Sequence, residues 1–157
     1  MKKINVIIVF ILILSLLLAG CSDKYTDWQS VSVSGVGTFK VPQEWVVTHK
    51  ENILYVTDRS VDEADYKVYL IGYEGDGSKT ISPHELFADV KYVRNAGGTN
   101  YSNSAAYFLQ EYDIGGDIAK KYIVHLYSSN KTINLIAWDE LIDEPTIIKI
   151  TQSYVSE

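Results

Sequence analysis

The chain has 157 residues, with 14 basic against 20 acidic side chains and a formal charge of −6 at pH 7. That balance argues against nucleic acid as a partner, because such binding begins with Lys and Arg neutralising phosphates, and past residue 20 the only adjacent basic pair is Lys120-Lys121. The length suits one domain, and a single cysteine leaves no disulfide within the chain.

The first residues fall into zones: Lys2 and Lys3, an apolar run from Val6 to Leu18 broken only by Ser15, then Ala19 and Gly20. This is the order of a secretory signal peptide, and the run is short for a membrane-spanning helix, which needs about 20 apolar residues. It ends in Leu18-Ala19-Gly20-Cys21, which resembles the bacterial lipobox. The resemblance implies that residues 1–20 are a lipoprotein signal peptide cut before Cys21. The Cys21 sulfur would then carry a diacylglycerol with palmitate-like chains. Two such chains with about thirty methylenes, at about 0.8 kcal/mol each, give on the order of 20 kcal/mol of anchoring. The expected location is the extracytoplasmic face of the cell membrane. The competing reading is an uncleaved amino-terminal helix with Cys21 a bystander. Cleavage removes two lysines and no acid, so the mature chain is more acidic still.

Residues 21–30 read as a lipidated tether, and residues 31–157 as a single domain. Trp28 is the tether's one tryptophan, free to dock on the domain or to sit at the lipid interface. Twelve tyrosines, three tryptophans and many Ile and Val favour strands, where flat and β-branched side chains pack on a pleated surface. Val31 and Val33, a Gly35-Val36-Gly37 turn and Thr38-Phe39-Lys40-Val41 before Pro42 predict a hairpin. Trp45 to Lys50 and Asn52 to Asp58 predict two strands, residues 59–65 an acidic loop, and Tyr66 to Glu74 a fifth strand closed by Gly75-Asp76-Gly77.

Ser82-Pro83-His84-Glu85 combines a capping serine, a proline in the first turn and a glutamate three residues on, the pattern of a helix start. Leu86, Val90 and Val93 at helical spacing, with Phe87 beside them, extend it to Gly97-Gly98. Ala105 to Ile114, Ile118 to Tyr127 and Thr132 to Trp138 predict three strands whose short turns force an antiparallel meander. Pro145 opens a closing helix with Ile147, Ile150, Thr151 and Tyr154 on one face. The expected class is α+β, a mainly antiparallel sheet packed against helices on one face or on both.

Gly37-Thr38-Phe39-Lys40-Val41-Pro42-Gln43-Glu44-Trp45, with the late meander and a helix carrying Ile150 and Ser153, resembles the PsbP/Mog1-like family over about residues 31–155. The resemblance implies an α/β/α sandwich and a role in binding or assembly more often than catalysis. It implies no substrate, since fold alone does not fix function.

Chemistry-bearing motifs are sparse. His49, His84 and His125 are far apart and form no metal-ligand spacing, and no serine sits in a G-x-S-x-G elbow. Carboxylates cluster at Asp62-Glu63 with Asp65, at Glu111 with Asp113, and at Asp139-Glu140 with Asp143-Glu144, none with EF-hand spacing. They read as a solvated surface, with calcium or acid and base work as the alternative. Tyrosines on alternating strands either pack under helices or line a ligand groove, and Tyr107, Tyr122 and Tyr127 are the groove candidates. The expectation is a non-enzymatic, lipid-anchored binding or assembly protein with an envelope partner and no cofactor or metal. The alternatives are a small-ligand module using the aromatic groove and, third, an envelope hydrolase joining His125 to Glu111 or Asp113.

Overall fold

The computed structural model describes residues 24–76 and 91–157. Leu18, Ala19, Gly20 and Cys21, the Gly77 that closes the fifth-strand turn, and the predicted helix start from Ser82 to Val90 lie outside the described residues. The described residues form, in order, ten strands and one helix: β1 (Trp28–Val33), β2 (Gly37–Pro42), β3 (Val46–Lys50), β4 (Ile53–Thr57), β5 (Val68–Asp76), β6 (Lys91–Ser102), β7 (Ala105–Ile114), β8 (Asp117–Tyr127), β9 (Lys131–Trp138), α1 (Glu144–Gln152) and β10 (Val155–Ser156). They form an antiparallel seven-stranded sheet in the order β3-β4-β5-β9-β8-β7-β6 and a three-stranded sheet in the order β1-β2-β10.

Tight turns set the meander. Gly115 and Gly116 both take positive φ, 65° and 102°, the two-residue turn whose twist matches that of the strands it joins. The Asp113 carboxylate accepts from the Gly116 N–H at 2.7 Å and holds that turn. Across the large sheet Leu54, Gly72, Leu135, Val124 and Tyr107 stand side by side on one face. A Cβ on Gly72 would lie 2.8 Å from Leu135 and 2.9 Å from Ile133, so glycine is needed there for the strand to pack beneath its neighbours.

The small sheet and α1 cover this same face. Val31, Val33, Phe39 and Val41 from β1 and β2, with Ile147 and Ile150 from α1, join Leu54, Val56, Leu70, Leu126, Ile133 and Leu135 in one buried core. Helix α1 starts where the Asp143 side chain accepts from the Thr146 N–H at 3.0 Å, with Pro145 in its first turn. Burial of Ile147, Ile150 and Thr151 on one face ties it down. Trp28 docks on the domain, packed against the core with its ring edge-on to Tyr25 at 5.6 Å.

The architecture corrects the α+β expectation. The described residues form two antiparallel sheets with a single helix, which lies on the core face of the large sheet beside the small one. They do not form the multi-helix α/β/α sandwich that a PsbP/Mog1-like fold implies. The carboxyl half of the helix predicted from Ser82 is the main reason. From Lys91 the chain is strand β6, paired with β7, and Gly97-Gly98 lies inside it. Val93 and Ala96 fall at register shifts, with a third at Tyr101. These bulges break the alternation that marks a strand, so Val93 coincided with helical spacing. Such irregularity is common in edge strands, where it guards against pairing with other chains. Two smaller differences are that β1 begins at Trp28, inside the stretch read as a tether, and that Gly75 and Asp76 pair with Thr132 and Lys131 as the end of β5. Among the described residues no helix is long and apolar enough to cross a membrane.

Candidate functional site

The three tyrosines proposed for a groove are divided by strand alternation. Tyr107 on β7 and Tyr122 on β8 point to the core face, ring centres 6.4 Å apart, and Tyr101 stacks on Tyr107 at 6.1 Å. Tyr127, an odd number of positions from Tyr122, lies on the opposite face. Both core tyrosines are buried, and the Tyr107 hydroxyl donates to the Glu144 carboxylate at 2.6 Å, joining β7 to the first turn of α1. That bond, with burial, pushes the Tyr107 phenol up to about 12. Burial, and after it the charges of Glu144, Asp139 and Asp143, also raise the pKa of Tyr122. The cluster fastens α1 to the sheet over the buried core.

The opposite face holds the least expected chemistry. A row of Trp138, Lys121 and Gln110 crosses β9, β8 and β7 and reaches Asn95 on β6. Lys121 is 1% exposed, with its ammonium 3.9 Å from the Trp138 ring centre and 5.1 Å from that of Tyr112. Desolvation brings its pKa down to about 8, and burial raises that of Tyr112 to about 12. Sequence reasoning missed this lysine by treating it as half of a basic pair. The signal was available: residues 122–124 are apolar without alternation, so β8 is buried on both faces and Lys121 with it.

Farther along the same face Asn134 and His125 sit opposite one another, His125 Nδ1 2.8 Å from Asn134 Oδ1. Asn134 Nδ2 and the Thr132 hydroxyl are buried without a hydrogen-bond partner, although a buried polar group left unpaired costs about 1–3 kcal/mol. An amide donor, a hydroxyl and an imidazole on one face suit a small hydrogen-bond acceptor.

The acidic clusters resolve into separate tasks. Asp62 pairs with Lys50 at 3.1 Å, and Glu111 pairs with Arg94 at 2.7 Å, an interaction that lowers the carboxyl pKa. Asp113 holds a turn, Asp143 caps α1 and Glu144 accepts from Tyr107. His49 lies 3.9 Å from Glu74. His125 faces away from Glu111 and Asp113, which share the core-face alternation of Tyr107, so no cleft joins them. Among the described residues no three or more His, Cys, Asp or Glu side chains come together as metal ligands. Among the described residues, one cleft of about 290 Å³ is lined by Asn52, Glu74, Gly75, Asp76, Asn130 and Lys131, and another of about 590 Å³ lies between β1, β2 and β10. No protein-family model and no curated protein matches the chain.

Proposed function

We propose that this chain is a lipid-anchored extracytoplasmic domain that binds another protein or component of the cell envelope. The observation that carries the reading is the Lys2-Lys3, apolar, Leu18-Ala19-Gly20-Cys21 order, followed within a few residues by Lys24 and Tyr25, which already make contacts with the folded domain. Mass spectrometry of the membrane fraction tests the anchor, and absence of a thioether-linked diacylglycerol on Cys21 would sink it. Crosslinking in intact cells beside a Cys21→Ala control tests the binding role. One envelope component enriched only with Cys21 intact is the expected result, and equal capture from both chains contradicts it.

A second reading has its own support in the unpartnered Asn134 Nδ2 and Thr132 hydroxyl beside His125. In that reading the domain takes a small polar ligand on the face opposite the core. Asn134→Ala would then abolish a ligand-induced rise in melting temperature found by screening small hydrogen-bond acceptors.

A further inference from the structure

Within three residues of Cys21 the chain is already in contact with the folded domain. The Lys24 ammonium donates to the Gln152 side chain at 3.0 Å, and the Tyr25 hydroxyl donates to the Lys149 carbonyl at 3.1 Å. Only Ser22 and Asp23 stand between Cys21 and Lys24. At about 3.6 Å per extended residue, the Lys24 and Cys21 Cα atoms are within roughly 11 Å of each other. A lipidated Cys21 therefore holds this end of the domain, and no other, against the headgroups.

Elements far apart in sequence bring three ammonium groups to this end. Lys24 and Lys40, from the lead-in and β2, each place Nζ 4.9 Å from the Tyr25 ring centre. Lys149, from α1, lies 5.7 Å from the Trp28 ring centre, and the two rings meet edge to face. Three ammonium groups thus gather around two aromatic rings in a chain whose overall charge is −6. Lysines around amphipathic rings are the pairing that suits a headgroup region: ammonium groups meet phosphates, and Tyr and Trp sit where apolar and wet layers join.

We propose that the Lys24, Lys40 and Lys149 end docks on anionic phospholipid headgroups of the membrane that carries the anchor, fixing the domain's orientation there. The inference rests on lipidation of Cys21. To test it, the chain is expressed whole, purified from bacterial membranes and reconstituted into vesicles of phosphatidylcholine alone or of phosphatidylcholine and phosphatidylglycerol in equal parts. Lysine acylation is then read by mass spectrometry. On the anionic vesicles Lys24, Lys40 and Lys149 should react several-fold more slowly than on the neutral ones, with exposed Lys67 and Lys91 unchanged. High salt should remove the difference, and Lys40→Gln should restore reactivity at Lys24 and Lys149. Equal labelling on both vesicles by a chain that floats with them overturns the docking and leaves the anchor standing. A chain that does not float overturns both.

Discussion

Replacing Lys121 by methionine should stabilise the protein at neutral pH and lose that advantage as pH rises. Lys121 is buried on the face opposite the core, and its pKa falls from 10.5 to about 8 because the charge is taken out of water. That change corresponds to a penalty on folding of about 3 kcal/mol at neutral pH. Contact with the Trp138 and Tyr112 rings returns about 1–2 kcal/mol. Methionine fills a similar volume without a charge, so Lys121→Met should gain about 1–2 kcal/mol. The native pKa lies below the unfolded one, so between about 8 and 10.5 the unfolded chain holds the extra proton and wild-type stability rises with pH. Below that window both states are protonated and the penalty is complete; above it neither is, and the penalty is gone. Urea unfolding of both proteins across the window measures the difference, in which titrations common to both cancel. Tyr112, raised to about 12, stays neutral throughout. A variant advantage that does not change with pH would refute the account.

Gly37 has φ 137°, and a Cβ there would lie 2.2 Å from the Val155 carbonyl. Gly37→Ala should therefore break the β2–β10 pairing, seen as faster amide exchange at Glu157, whose N–H donates to the Val36 carbonyl. Tyr107→Phe removes the bond to Glu144 and should cost about 2 kcal/mol in urea unfolding. Because the Tyr107 pKa is raised from 10.0 to about 12, the native state keeps its proton longer. Wild-type stability should thus fall across that interval by an amount the phenylalanine variant does not show. Ile147→Ala, at a side chain 0% exposed, should cost about 2–5 kcal/mol; a smaller loss would mean that α1 packs more loosely than its contacts require.

Elements whose periodicity and turn chemistry agree were legible. The Gly35-Val36-Gly37 hairpin, the strands from Trp45 to Thr57, the meander from Ala105 to Trp138 and the Asp143-capped helix each carry both signals. β6 carries neither. Its bulges at Val93, Ala96 and Tyr101 destroy alternation, and at an exposed edge no continuous apolar face was needed to reveal it. The division into two sheets was also hidden, because alternation shows that a strand has an inner face without naming the layer it meets. The site was partly readable. Parity along β8 already separates Tyr122 from Tyr127, and the unbroken apolar run after Lys121 already places that lysine inside. What the sequence could not show was the pairing of Tyr107 with Glu144, because it depends on where α1 lands.

The placement of α1 also decides how the Lys24 end is held. The helix holds Lys24 through Gln152 and Tyr25 through the Lys149 carbonyl, while Ser153 accepts from the Lys40 N–H of β2 at 2.8 Å. Beyond it the Tyr154 hydroxyl donates to the carbonyls of Val36 and Tyr127, and β10 adds to β2. One short helix thus binds the Lys24–Asp27 lead-in, the small sheet and the large sheet to one another. Its inner residues Ile147 and Ile150 lie in the shared core. A lipid at Cys21 would consequently position the whole domain through this junction. Loosening α1 should therefore lower both global stability and the protection of Lys149 on anionic vesicles, whereas removing lysine charge alone should affect only the second.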